Sequence, residues 1–198
     1  MNENIFRILA ALILFTGMGI SFYFRLKADR ESGEKLSRKA DGTVMMTIIR
    51  IGGLILWLTP FVYLINPAWM AWSKVGLPDW ARWLGFGVGI ICVLGIYWLF
   101  NSIGTGITPV SATRKEHKLV TNGIYKYIRH PLYTFGSSMF LAFGMMADSW
   151  FIAALGALTF VLMAIRTPKE EANLIAKFGD EYRVYMKRTG RFLPKLIK

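Results

Sequence analysis

The sequence has few of the side chains from which disulfides, metal centres and nucleotide-binding loops are built. Its single cysteine, Cys92, lies within an apolar block, which excludes an intramolecular disulfide, and we interpret it as a small buried apolar residue. The two histidines are His117 and His130, and no His, Cys, Asp or Glu cluster has metal-ligand spacing, so we expect no metal site. Neither a Gly-x-Gly-x-x-Gly pattern nor a P-loop occurs.

Apolar side chains are abundant and fall in blocks. Of the 198 residues 54% are hydrophobic, and the longer blocks suffice to cross a hydrocarbon core of about 30 Å. The first block is long and lacks a clear cleavage site, so we expect a retained span and not a signal peptide. We predict a single all-α integral membrane domain over residues 1–198, with a helical C-terminal tail. The five predicted spans are Ile5–Phe24, Val44–Ile65, Trp80–Phe100, Pro131–Ala147 and Trp150–Ile165, the last two forming a tight helical hairpin.

The net charge of +12 is an orientation signal. Twenty of the 24 Lys and Arg residues lie in three segments, 25–43, 101–130 and 166–198, which five spans would place on the same side of the membrane. The positive-inside rule makes that side cytoplasmic and puts the N-terminus outside. The charge therefore favours anionic lipid as a partner, and we expect no nucleic acid to bind.

Other features of the spans and the tail give structural expectations. Gly85 and Gly89 have a spacing that allows close helix approach, and we expect them to pack within the molecule and not at a homodimer seam. Arg50 lies within the second predicted span, and the sequence does not name its partner. The tail has helical apolar spacing interrupted at Gly179, which predicts two short helices.

Two charged residues after the fifth predicted span have structural as well as functional interpretations. Arg166 suits an interfacial anchor that extends its charge to water. Glu170 fits a capping box with Thr167 as N-cap and Pro168 at the first helical position. His130 precedes Pro131 at the expected start of a helix, where a polar residue is common. Spacing alone leaves these interpretations open against functional ones.

Three motifs carry a family resemblance. HKLVTNGIYKYIRHPLY (117–133), RTPKEE (166–171) and FGDEYRVYMKRTGRFLP (178–194) together resemble the isoprenylcysteine carboxyl methyltransferase family, especially its small prokaryotic members. The resemblance covers a motif region over residues 101–194, comprising a cofactor loop, the last helical hairpin and the C-terminal helices. It implies a membrane methyltransferase that uses S-adenosylmethionine. It also implies that Arg166 binds the substrate carboxylate and that Arg166 and Glu170 serve catalysis. The implied cofactor-binding residues are His117, Lys118, Leu119, Val120, Tyr125, His130, Pro131, Leu132, Tyr133 and Glu170.

The expected reaction is methyl transfer to the carboxylate of a lipophilic or lipidated substrate, most simply an S-isoprenylcysteine. A carboxylate is ionised near neutral pH, so the reaction needs no general base. An Arg-His-Pro-x-Tyr sequence also occurs in phospholipid methyltransferases and sterol reductases, which leaves two enzymatic alternatives. The first is amine-lipid methylation, which requires a base such as His130 or Glu170. The second is an NADPH-dependent reductase. A transporter or channel component is disfavoured by the sparse intramembrane charge and the lack of an internal repeat.

Overall fold

The apolar blocks form helices at all five predicted positions. The computed structural model describes residues 3–32, 43–103 and 119–195. The helices are α1 (Glu3–Ser32), α2 (Thr43–Ile65), α3 (Asp79–Ile103), α4 (Pro131–Met146), α5 (Trp150–Phe178) and α6 (Asp180–Arg188), with 3₁₀ segments at Pro67–Ser73 and Gly123–Lys126. The predicted all-α class is confirmed. His117, Lys118 and the side chain of Arg50 lie outside the part of the chain that the structure describes.

Helix length and composition support fewer membrane spans than the sequence predicts. Among the described residues, Glu3–Arg30, Asp79–Ile103 and Trp150–Phe178 are long and apolar enough to cross a membrane. A fourth span results if Ile51–Ile65 is counted together with the 3₁₀ segment Pro67–Ser73, to which it is bent by 119°. Helix α4 has 16 residues, about 24 Å of helix. The count of five therefore stays a prediction.

Contacts at one end of the molecule show that the first four helices alternate in direction. Arg82, at the start of α3, donates to both carboxylate oxygens of Glu3 at the start of α1 and to the carbonyl of Met146 at the end of α4. Arg7 donates to the carbonyls of Leu64 and Ile65 at the end of α2. Opposite ends of successive helices thus meet, as expected for an antiparallel bundle.

Small residues set the close spacing of the helices, as predicted. A Cβ atom on Gly85 of α3 would lie 2.7 Å from the Cβ of Met145 in α4, and one on Gly89 would lie 3.3 Å from Ile13 of α1. Gly144 of α4 meets the backbone of Ala153 in α5 in the same way. Because both glycines of the third span are packed against neighbouring helices, the expectation of internal packing is confirmed.

The predicted capping box after the fifth span is wrong. Helix α5 runs without a break through Thr167 and Pro168, and the Thr167 hydroxyl donates to the carbonyl of Met163 one turn earlier, so it does not cap a new helix. Within its described residues, which end at 195, the tail therefore forms a single further helix, α6, and not two. The break at Gly179 is confirmed, because this residue ends α5 with φ of +58°, a conformation that glycine adopts without strain.

The length of α5 positions the site. Its 29 residues span about 44 Å, more than the roughly 30 Å of a hydrocarbon core. The last turns of α5, with Glu170 and Glu171, therefore extend beyond the apolar bundle toward the start of α4 and the C-terminal segment.

Candidate functional site

The start of α4 is built by the sequence Arg129-His130-Pro131. His130 is the N-cap residue and Pro131 occupies the first helical turn, where its fixed φ favours the helix and its missing N–H leaves no donor unpaired. The His130 carbonyl accepts hydrogen bonds from the backbone N–H groups of Tyr133 and Thr134. This tight turn holds the His130 and Tyr133 side chains on one side of the helix start.

The rings of His130 and Tyr133 are stacked and buried. Their centroids lie 5.5 Å apart with an angle of 8° between the ring planes. The Tyr133 hydroxyl donates a hydrogen bond of 2.7 Å to Oε2 of Glu170, which is half-buried on α5. The stacked pair is therefore joined to α5 through a carboxylate, which lies at the hydroxyl end of the Tyr133 ring.

Arg166 lies one turn before Glu170 on the same face of α5. Residues four apart on a helix are neighbours, and both side chains are half-buried. Arg166 is near enough to Tyr133 for its charge to act on the phenol oxygen, and Tyr125 lies near both Tyr133 and Glu170. The site thus has a cation and an anion one helical turn apart beside three aromatic rings.

Glu171 binds three partners and was missed by the sequence analysis. Its side chain is 3% exposed; Oε1 accepts from Arg129 Nε at 2.9 Å and lies 3.3 Å from His130 Nε2, and Oε2 accepts from Arg191 Nη2 at 2.7 Å. A buried carboxylate requires such pairing. The available signal was the helical spacing that puts Glu171 on the buried stripe of α5 with Gly156 and Thr167.

The C-terminal segment completes the site by pairing with the residues before α4. Gly190 accepts from the Arg129 N–H at 2.9 Å and donates to the carbonyl of Tyr127, and the Arg191 carbonyl accepts from the His130 N–H at 3.0 Å. The Arg129 guanidinium also donates to the carbonyls of Met186 and Thr189 at the end of α6. Residues from three separate parts of the sequence are therefore fixed to one another.

Burial sets the protonation of the aromatic and imidazole groups outside the spans. Burial lowers the pKa of His130 below its usual value, and this outweighs the opposite effect of Glu170 and Glu171 nearby, so the imidazole is neutral at neutral pH. Burial raises the pKa of Tyr125 and Tyr185 above their ordinary range, so both remain protonated phenols. The Tyr185 hydroxyl donates to the carbonyl of Tyr125 at 2.7 Å, which ties α6 to the 3₁₀ segment before α4.

The structure brings most of the predicted site residues together. Arg166, Glu170, His130, Tyr133 and Tyr125 form one cluster, and Pro131 is buried at its base. The other residues are less informative: Leu119 and Val120 are half-buried in the segment before the 3₁₀ turn, Leu132 is 36% exposed, and His117 and Lys118 fall outside the described residues. Across residues 3–32, 43–103 and 119–195 no group of three or more His, Cys, Asp or Glu side chains is arranged to hold a metal ion.

Three relatives match about half of the chain. Identity is 37% over 83 residues to a nickel-cobalt-cadmium resistance protein of Alcaligenes xylosoxydans xylosoxydans, covering 42% of this chain and 39% of that protein. It is 32% over 113 residues to the protein-S-isoprenylcysteine O-methyltransferase of Schizosaccharomyces pombe, covering 54% and 48%. It is 31% over 116 residues to a methanethiol S-methyltransferase of Pseudomonas deceptionensis, covering 58% and 44%. The matches therefore span less than half the length of each of these relatives.

A solved structure shares the fold. The eukaryotic intramembrane Ras methyltransferase, an isoprenylcysteine carboxyl methyltransferase, superposes with a TM-score of 0.57 and 20% identity over 95% of this chain and 68% of that one. Together with the fission yeast relative, this confirms the resemblance inferred from the three motifs. Residues 80–181, just over half of the chain, match the model of the family described as phospholipid methyltransferase, and the chain belongs to that family.

Proposed function

We propose that this protein is a membrane enzyme that transfers a methyl group from S-adenosylmethionine to the carboxylate of a lipophilic acceptor, most simply an S-isoprenylcysteine. The observation that carries the proposal is the placement of two opposite charges on one face of α5. Arg166 and Glu170 lie one turn apart on a half-buried face, and Glu170 is bonded to Tyr133 of the stacked pair. One charge suits an anionic acceptor and the other suits a cationic donor.

The residues present fit the proposed cofactor. A sulfonium cation with an amino group needs a nearby anion, and Glu170 supplies one whose second oxygen is not used by the bond to Tyr133. The adenine ring needs apolar and aromatic surface, which Tyr125, Tyr133 and Pro131 offer. The proposed cofactor-binding set is the one that the family resemblance implies: His117, Lys118, Leu119, Val120, Tyr125, His130, Pro131, Leu132, Tyr133 and Glu170.

The protein's own part in the reaction is positioning and exclusion of water. S-adenosylmethionine, when bound, supplies an electrophilic methyl group, so that an ester C–O bond forms as the C–S bond breaks and its electron pair stays on sulfur. Arg166 would hold the acceptor carboxylate through two parallel hydrogen bonds, fixing the attacking oxygen. Such orientation contributes several kcal/mol of barrier lowering. The carboxylate loses charge toward the transition state, so an over-tight Arg166 contact would slow the reaction.

An amine acceptor is a second candidate, favoured by the neutral state of the His130 imidazole. Amine methylation requires a base that removes a proton, and the lowered pKa of His130 leaves a neutral imidazole in contact with Tyr133 and Glu171. The description of the matched family, phospholipid methyltransferase, points in the same direction. The two candidates differ in the atom that carries the methyl group, and the product identifies it.

We also propose five membrane crossings, with the C-terminus and the site on the cytoplasmic side and the N-terminus outside. The alternation of the first four helices and the position of α6 at the end opposite Glu3 support this arrangement, as does the distribution of basic residues. The test uses two single-cysteine variants, one at Asp79 and one at Lys187, each made in a Cys92→Ala background. In sealed vesicles labelled with a membrane-impermeant maleimide, the two cysteines should react from opposite sides of the membrane. Labelling of both from the same side would contradict the arrangement.

The function is tested with purified protein in detergent, labelled S-adenosylmethionine and three acceptors: N-acetyl-S-farnesyl-cysteine, phosphatidylethanolamine and a fatty acid. We expect base-labile label on the farnesyl compound, because a methyl ester is hydrolysed by base and an N-methyl group is not. Base-stable label on phosphatidylethanolamine would establish the amine candidate instead. Absence of S-adenosylmethionine binding by calorimetry would overturn both candidates.

A further inference from the structure

The 3₁₀ segment Pro67–Ser73 has one buried face and one exposed aromatic face. A 3₁₀-helix has three residues per turn, so residues three apart share a face. Met70 and Ser73, which are 5% and 0% exposed, form the inner face. Trp69 and Trp72, which are 59% and 60% exposed, form the outer face. The segment therefore packs on the bundle through one stripe and presents two indole rings outward.

Hydrogen bonds hold this segment on the turn between α4 and α5. The buried Ser73 hydroxyl lies 2.7 Å from the buried hydroxyl of Ser149. The carboxylate of Asp148 accepts hydrogen bonds from the backbone N–H groups of Gly76 at 3.2 Å and Leu77 at 2.8 Å. The chain is thus held at the end of the segment and in the residues that follow it, so the outward face has a defined position on the molecule.

Two further exposed tryptophans lie at the same end of the bundle, where α3 and α5 begin. Trp150 is 50% exposed, and its ring is edge-on to that of Trp72 with centroids 5.8 Å apart. Trp80, at the start of α3, is 69% exposed. We call Trp69, Trp72, Trp80 and Trp150 the tryptophan platform. An indole ring combines an apolar body with an N–H donor, a combination that suits the boundary between hydrocarbon and lipid headgroups.

Helix α3 repeats this pattern at the spacing of a bilayer. Trp98 lies 18 residues after Trp80, about 27 Å along the helix, close to the roughly 30 Å of a hydrocarbon core. Trp98 is 46% exposed, and its ring centroid is 6.2 Å from that of Tyr127, which is 47% exposed. Between the two levels α3 exposes aliphatic side chains such as Ile91 and Leu94. A bilayer accounts for this order and spacing, whereas contact with another protein does not require either.

We propose that the tryptophan platform is a lipid anchor that lies in the headgroup interface at the end of the bundle where α3 and α5 begin. In this arrangement Pro67–Ser73 lies along the interface and is not part of a membrane span. Its seven residues of 3₁₀-helix measure about 14 Å, too short to cross the core. The bend of 119° directs it away from the axis of α2. The inference does not depend on the proposed methyl transfer.

The test measures membrane depth with a nitroxide spin label on Ala71→Cys, an exposed position of the segment, in a Cys92→Ala background. The protein is reconstituted in phosphatidylcholine vesicles, and depth is obtained from collision rates with oxygen and with a water-soluble nickel chelate. Ile91→Cys is the control for the hydrocarbon core and Asp180→Cys the control for water, since these side chains are also exposed. We expect the Ala71→Cys label to lie about 15 Å shallower than the Ile91→Cys label and to meet nickel less often than the Asp180→Cys label.

A second comparison tests the tryptophans themselves. Trp69→Ser and Trp72→Ser are introduced together into the Ala71→Cys protein, and Leu193→Ser, which replaces a large apolar residue that is 71% exposed, is the matched control. The double variant should shift the collision rate with nickel toward the value of the aqueous control, because the segment loses both rings that hold it in the interface. Leu193→Ser should leave the collision rate unchanged.

Each outcome decides the inference. A label on Ala71→Cys at an intermediate depth supports it, and this measurement stands even if the double tryptophan variant does not fold. A depth equal to that of Ile91→Cys would place the segment in the core, and a nickel collision rate equal to that of Asp180→Cys would place it in water; either result overturns the inference. Low collision rates with both oxygen and nickel would show cover by protein and overturn it as well. An unchanged depth in a folded double variant would refute the tryptophans as the anchor.

Discussion

Replacing Glu171 should cost far more stability than replacing its neighbour Glu170. Glu171→Ala removes the anion from Arg129, whose side chain is 7% exposed, and breaking a buried pair costs about 3–5 kcal/mol. Arg129 keeps its carbonyl partners at Met186 and Thr189, so we expect the lower end, about 3 kcal/mol. Arg191 is 42% exposed, and solvent screening limits its contribution to about 1 kcal/mol or less.

The assay is denaturant unfolding in mixed micelles, followed by far-ultraviolet circular dichroism, for four variants. Glu171→Ala should lose about 3 kcal/mol and Glu171→Gln less, because the amide oxygen still accepts hydrogen bonds. Arg191→Ala and Glu170→Ala should each lose about 1 kcal/mol, since their pairs are partly exposed. Equal losses for Glu170→Ala and Glu171→Ala would refute the reasoning, because burial and pairing would then not distinguish the two carboxylates.

Three further predictions concern the proposed chemistry. Arg166→Ala should lower turnover by about 100-fold or more, because two charge-assisted hydrogen bonds to the acceptor are lost. Calorimetry should show nearly unchanged cofactor affinity. A lower cofactor affinity would contradict the role of Arg166 in binding the acceptor. Glu170→Gln should weaken cofactor binding by about tenfold, and Tyr133→Phe should weaken it less. Unchanged cofactor affinity in Glu170→Gln would count against Glu170 as a cofactor-binding residue. The free energy of unfolding should fall as the pH drops through about 6.5, because His130 takes up a proton more readily in the unfolded chain than when it is buried. His130→Gln should flatten the dependence of the unfolding free energy on pH between about pH 7 and 5. An unaltered dependence would exclude His130 as its source.

The helix positions could be predicted because they depend on local composition. Blocks of apolar residues long enough to cross a bilayer form helices whatever their neighbours are. Pro131 at the start of α4 and Gly179 at the end of α5 acted as such residues ordinarily do. These signals are contained within a few residues of the element that they start or end, so a single sequence suffices to find them.

The capping box failed because tertiary contacts outweighed a local pattern. Thr167-Pro168-Lys169-Glu170 suits the start of a helix, yet the turn that follows Pro168 is tied to other elements through Tyr133, Arg129 and Arg191. Those bonds hold Glu170 and Glu171 in line with the preceding span, and the missing proline N–H costs one backbone hydrogen bond. Helical spacing marks Glu171 as buried, but its bonds join residues 20 to 42 positions apart and leave no local trace, which is why its partners Arg129 and Arg191 were not predicted.

The adjacent carboxylates show why the site needs a continuous helix. Neighbouring residues on an α-helix point about 100° apart. Glu170 therefore faces Tyr133 and the half-buried stripe with Arg166, whereas Glu171 faces the buried side and binds the two arginines that fix the C-terminal segment. A helix break at Thr167, as the capping box predicts, would uncouple this turn from the orientation of the span. Because α5 is unbroken, the packing of the fifth helix against α4 sets the direction of both carboxylates, and the two identical side chains are not interchangeable.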